Sequence, residues 1–245
     1  MPSSSQTFLY RSAAQVTFLI AGVYASAGPP NPSAIVKTTT ALYANARTFR
    51  GSEHVYQSGK TPKGQYSFSV TMQVIHTSPN KVYIHQIAKG TGIASKLNRE
   101  SISVSDGKTI YNYLIEKKIY TRSPAPPSIP TLDMAMLLPK LSNLKLIGSR
   151  TVQGVKAYVI EGMPPIPANI PPQVRAKIKP VEFAIGVASH LLLELHIDNI
   201  TSSDQFTFSN QVINSSIPAS KYHFNLPKGA RLIMPPAASQ SPPRR

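Results

Sequence analysis

The sequence predicts a mainly β protein: one long antiparallel meander of about ten strands, with a helix at its start and a helical insertion midway. Three observations carry this. The stretch GQYSFSVTMQV puts Tyr66, Phe68, Val70, Met72 and Val74 on one face and Gln65, Ser67, Ser69, Thr71 and Gln73 on the other, the period of a one-sided strand. Short β-branched and aromatic runs follow one another through local turns, most clearly in VSDGKTIYNY (Val104 to Tyr113). Proline clusters then interrupt a series of strands, and no repeat period is present.

Taken in order, Arg11, the apolar run AAQVTFLIAGVY and Ala25-Ser26-Ala27 have the three parts of a secretory signal, with cleavage expected after Ala27. The run is too short to span a bilayer, which takes about 20 apolar residues. This divides the chain into a signal at 1–27, one domain at 28–233, and a Pro-rich basic tail at 234–245 that is expected to be disordered. Asn31 reads as an N-cap with Pro32 at the first helical position, and Ile35, Val36, Leu42, Tyr43 and Ala46 recur at helical spacing to about Thr48.

After the clearest strand, Ser78-Pro79-Asn80 turns the chain into KVYIHQIA, followed by ESISVS, KTIYNYL and KIYTRS. Asp106-Gly107 predicts a type I′ hairpin, in which both central residues take positive φ. Pro124, Pro126, Pro127 and Pro130 break the sheet. LDMAMLLPKL then reads as a short helix opened by Thr131 or Asp133 and stopped near Pro139. Strands resume with NLKLIGSRTV and GVKAYVIEG. A Pro-rich loop from Met163 to Pro180 leads on to VEFAIGV, HLLLELHID, QFTFSNQVI and KYHF.

The 26 Lys and Arg against 10 Asp and Glu give a net charge of +16, and signal cleavage removes only Arg11. Such a balance favours anionic partners, and export turns the expectation from nucleic acid toward an anionic membrane surface. The chain has no cysteine, so no disulfide, thiol nucleophile or lipid-modified N-terminal cysteine is available. His54, His76, His85, His190, His196 and His223 fall in no zinc-binding spacing. Glu194 and Asp198 are the nearest acidic pair on one strand face, without a spacing that favours hydrolysis. Nucleophile-elbow, Walker and dinucleotide motifs are absent. The expectation is a protein without catalysis or cofactor.

The apolar strand face has two readings: ordinary core, or a concave surface too wide for the few helical residues to cover. In the second it takes an acyl chain, each buried methylene contributing about 0.8 kcal/mol. Met134, Met136, Leu137 and Leu138 share the ambiguity, as a plug in the core or as an adaptable lid flanked by prolines.

VSDGKTIYNY resembles the hairpin of LolA-type periplasmic lipoprotein carriers. IPASKYHFNLPKGARLI (Ile217 to Ile233) resembles the end of that fold, and SPNKVYI its Pro-Asn turn. The resemblance implies an incomplete antiparallel β-barrel of ten to eleven strands, curved around a few short helices, with an apolar cavity for acyl chains. Its cavity residues fall on Val82 and Ile84 and on the strand Tyr66, Phe68, Val70, Met72 and Val74; its lid falls on Met134, Met136, Leu137 and Leu138. The family arginine before Pro-Asn, which contacts the lid, is Ser78 here, and serine cannot supply that charged fork. The implied role is that of a monomeric periplasmic carrier of lipoprotein or lipid acyl chains between an inner-membrane exporter and an outer-membrane acceptor. The alternative is a periplasmic sensor of the same fold that docks on an anti-sigma factor or envelope complex.

Overall fold

Helix α1 (Pro32–Ala44) begins as the capping pattern predicts: Asn31 Oδ1 accepts from the Ser33 N–H at 2.9 Å, with Pro32 in the first turn. It buries Ile35, Val36, Thr39 and Tyr43 and ends four residues before Thr48, where a strand begins. The computed structural model describes residues 30–129 and 133–233; the expected signal and the C-terminal tail lie outside them.

The strands are β1 (Thr48–Thr61), β2 (Gly64–Thr77), β3 (Lys81–Gly92), β4 (Arg99–Asp106), β5 (Thr109–Leu114), β6 (Ile119–Pro124), β7 (Ser142–Val152), β8 (Val155–Met163), β9 (Val181–Gly186), β10 (Leu192–Asp198), β11 (Ser202–Ile213) and β12 (Arg231–Leu232). Helix α2 (Pro172–Arg175) is a single turn in the Pro-rich loop. All strands join one sheet, in the order β12-β6-β5-β4-β3-β2-β1-β11-β10-β9-β8-β7. Two meanders, β1 to β6 and β7 to β11, are thus joined by the β1–β11 pairing. The mainly β, open antiparallel architecture is as expected.

Four local readings are corrected. Strand β1 is missing from the sequence pattern because its core-facing positions, Phe49, Gly51, Glu53, Val55, Gln57 and Gly59, mix apolar, polar and glycine residues. KYHF is not a strand: Ala219–Tyr222 is a 3-10 turn, and the last strand, β12, pairs parallel with β6. The insertion forms two 3-10 turns, Asp133–Met136 and Leu138–Lys140, with Pro139 inside the second, because a proline cannot donate the bond that continues an α-helix. In the β4–β5 hairpin Gly107 has φ 95° while Asp106 keeps negative φ, the pattern of a turn needing glycine only at its first central position. Asp106 instead accepts from Lys108 N and Thr109 N at 2.7 and 2.8 Å. These N–H groups, Thr109 first, hold its carboxyl below the usual range.

Directly opposed residues of antiparallel strands share a face, so the pairings divide the sheet into two sides. One side carries Phe49, Phe183, Leu195 and Phe208, which pack with α1, Ala135, Leu138 and Leu141 as the main core. This core lies over the second meander. Behind the first meander the C-terminal segment covers the opposite side: Phe224 stacks on Tyr111 with ring centroids 4.8 Å apart, and Tyr222 Oη meets Thr77 Oγ1 at 2.6 Å.

Candidate functional site

The register puts Tyr66, Phe68, Val70, Met72 and Val74 of β2 on the core side, together with Val82 and Ile84 of β3. Val70 and Val82 are buried, whereas Tyr66, Phe68, Met72, Val74 and Ile84 are half-buried. Several of their neighbours across the sheet are small: Tyr66 lies between Gly59 and Gly92, Phe68 between Gln57 and Gly90, Val70 between Val55 and Ala88, and Val74 between Gly51 and Ile84, whereas Met72 lies between Glu53 and Gln86. At Gly59 a Cβ would stand 2.7 Å from Tyr66 Oη, so the phenol lies down over β1 where only glycine leaves room. The result is an apolar ramp along β2, lowest around Tyr66 and crossed by the polar pair Glu53 and Gln86 at Met72. At its inner end Val74 packs against the main core.

That core also forms a cleft. Ser33, Val36, Lys37, Thr40 and Ala41 fall at helical spacing along one stripe of α1, beside the stripe that faces the sheet. Opposite them stand Leu138, Pro139, Leu141 and Leu144, and the open cleft between has a volume of about 430 Å³, within the usual range for small-molecule sites of about 300–1,000 Å³. Its walls are mostly apolar, Lys37 brings an ammonium group, and the Thr40 hydroxyl has no hydrogen-bond partner among the described residues.

The predicted lid residues therefore divide. Leu138 is fully buried and serves both core and cleft wall, Leu137 packs at the margin of the core, and Met136 is 43% exposed. Met134 lies in the first 3-10 turn, its side chain outside those described. Ala41, Leu141 and Leu144 carry no separate signal in the sequence, and Val36 carries only a helical one. The α1 residues were readable only as helix, and the others needed the folded insertion to bring them opposite it.

Ser78, at the position of the family arginine, is exposed, and its backbone N–H donates to Arg47 O at 2.8 Å. Its neighbours hold the segment that leads to the insertion: Ile129 N donates to Pro79 O at 2.8 Å, and Asn80 Nδ2 donates to Pro126 O and Gly107 O at 3.1 and 3.0 Å. His76 lies buried beneath this junction, opposite Phe49 and Val82. Burial lowers its pKa, against the opposing pull of hydrogen bonds to the Pro79 and Ile129 backbone.

Glu194 does share a strand face with Asp198, but on the side of the sheet away from the core, and the two are engaged separately. Arg150 bridges Glu182 and Glu194 at 2.6 Å each, while Asp198 meets Lys179 and His196 at 3.0 Å. Among the described residues no group of three histidine or acidic side chains is placed to hold a metal ion.

A curved open sheet with helix and short turns on one face, and an apolar cleft between them, defines a class of half-barrel proteins. Residues 33–136 match the profile of a family described as "Predicted periplasmic protein (DUF2092)". That description agrees with the periplasmic location expected from the sequence. No curated protein sequence matches the chain. Among solved structures, LprF from Mycobacterium bovis shares the fold at 16% identity and a TM-score of 0.52, over 83% of this chain and 100% of that one. Looser likenesses are the lipoprotein LppX of Mycobacterium tuberculosis (17% identity, 78% and 100% coverage, TM-score 0.37) and the LolA superfamily protein NE2245 of Nitrosomonas europaea (9%, 80% and 99%, 0.28). The fold that the sequence resemblance implies, an open antiparallel sheet curved around a few short helices, is the fold observed and is shared with LprF. Among the described residues no helix is long and apolar enough to cross a membrane.

Proposed function

We propose that the protein holds acyl chains of lipids or lipid-modified proteins in the cleft between α1 and the insertion, and carries them through the periplasm without catalysis. The observation that carries this reading is the cleft itself: about 430 Å³, walled mainly by apolar side chains, with Lys37 available to an anionic head. The ramp along β2 extends the apolar surface outward from the same core, and the mature domain starts after Ala27. Transfer from an inner-membrane donor to an outer-membrane acceptor belongs to this reading, as do a monomeric state and an ordinary two-step cycle of uptake and release. The test is titration of a fluorescent fatty acid into delipidated protein recovered from the periplasm. Saturable uptake, displaced by unlabelled fatty acid, is expected. A folded protein that takes up none overturns the proposal, and retention of a single envelope protein in its place would favour the sensor alternative.

A further inference from the structure

The pairings align Ser202, Gly59, Tyr66 and Gly92 in one row across β11, β1, β2 and β3. Beyond this row the chain turns in three adjacent loops, at 199–201, 62–63 and 93–98, spread over about 14 Å at the usual strand spacing. The loops present Ile200, Ile93 and Leu97, which are 55%, 50% and 48% exposed. Lys60, Lys63, Lys89, Lys96 and Arg99 surround them, all exposed, and no Asp or Glu occurs in 60–65, 89–99 or 199–202. The acids behind the rim are engaged: Glu100 with His85 at 2.6 Å, and Asp204 with Gln57 and Asn199 at 2.7 and 2.8 Å.

The apolar tips are held outward by a built loop. Gly90 N donates to Asn98 Oδ1 at 2.7 Å, Leu97 N donates to Ala94 O at 2.9 Å, and Ala94 is buried against β3. A Cβ at Gly90 would stand 2.1 Å from Ala94 O, so the close return of this loop needs the glycine. Beside the tips lies an open groove of about 910 Å³ lined by Tyr56, Tyr66 and Ile200 together with Ser58, Ser67, Thr91, Thr201, Ser202 and Ser203, with Lys60 among its residues.

We propose that this end of the sheet docks on an anionic bilayer, the isoleucines and leucine entering the interface, the cations meeting phosphates and the hydroxyl groove taking a headgroup. Apolar tips ringed by cations without acids are the pattern of interfacial membrane binding. Strand β7 starts at this same end of the antiparallel sheet, so the end of the insertion that leads into β7 lies on the rim side. The inference goes beyond acyl binding and uses a different surface.

The test is cosedimentation of protein recovered from the periplasm with phosphatidylglycerol-containing vesicles and with phosphatidylcholine vesicles. The wild type should bind the anionic vesicles in a salt-sensitive way. The triple variant Ile93→Ser, Leu97→Ser, Ile200→Ser and the variant with Lys60, Lys63, Lys89, Lys96 and Arg99 changed to Gln should each bind about tenfold more weakly or worse. A control with Arg47, Arg50, Lys81, Arg122 and Lys156 changed to Gln removes equal charge from elsewhere and should bind as the wild type does. Circular dichroism checks the fold of each. Equal loss in the control, unchanged binding by the triple variant, or fatty-acid uptake without any vesicle binding overturns the docking proposal; the last outcome leaves the acyl-binding reading standing.

Discussion

Replacing Ala41 by phenylalanine fills the cleft from its helical wall. Ala41 is exposed on α1 and lines the cleft opposite Leu141 and Leu144, so the ring has room without disturbing the core. Exchanging alanine for phenylalanine in a helix costs roughly 0.5 kcal/mol in propensity, a small change in stability. If the ring displaces about four methylenes of a bound chain, at about 0.8 kcal/mol each, affinity falls by about 3 kcal/mol, or roughly a hundredfold in Kd. The assay is the fatty-acid titration, run beside urea unfolding. A folded Ala41→Phe protein with wild-type affinity would refute the assignment of the cleft and leave the ramp along β2 as the remaining apolar surface.

Other perturbations test the supports of the site. Leu138→Ala should cost about 2–5 kcal/mol in urea unfolding, since the side chain is fully buried; a loss under about 1 kcal/mol would mean that the turn is not held by its packing. Thr39 is fully buried and its hydroxyl has no partner among the described residues, so Thr39→Val should stabilise the fold by about 1 kcal/mol, and destabilisation would reveal a bond that the hydroxyl makes. Asn80→Ala removes the bonds to Gly107 and Pro126 and should speed hydrogen exchange across 125–129, with little change in β9 or β10. For His76 the lowered folded pKa means that the unfolded chain binds the proton more readily. Stability is full above the unfolded value of about 6.5 and declines as pH falls from there through the folded pKa; His76→Gln should flatten that segment of the pH–stability curve.

The parts of the fold legible in the sequence are those where one local signal suffices. Asn31-Pro32 starts a helix because cap and φ restriction act within two residues, and Tyr66 to Val74 show their inward face because β2 is apolar at every second position. Strand β1 was illegible for the opposite reason: Gly51, Glu53, Gln57 and Gly59 occupy core-facing positions, glycine there accommodating large neighbours on β2. The cleft was half legible. Leu138 stands out in an apolar run between prolines, but that it packs against α1, and makes a cleft wall with Leu141 and Leu144, depends on a contact with a helix about a hundred residues earlier in the chain. Ser78 marks the position of the family arginine, while the bonds from Pro79 and Asn80 to Ile129, Pro126 and Gly107 join residues 27 to 50 positions apart and are announced by no charge pattern.

Completion of the sheet depends on partners far apart in the chain: β1 waits for β11, β6 for β12, and Tyr43 bonds Gln211, 168 positions later. Until nearly all of the polypeptide has emerged, the first meander has neither its flanking strand nor the aromatic strap across its back, and such long-range topology folds slowly. Such a chain can complete its sheet only once its last segment is available for pairing.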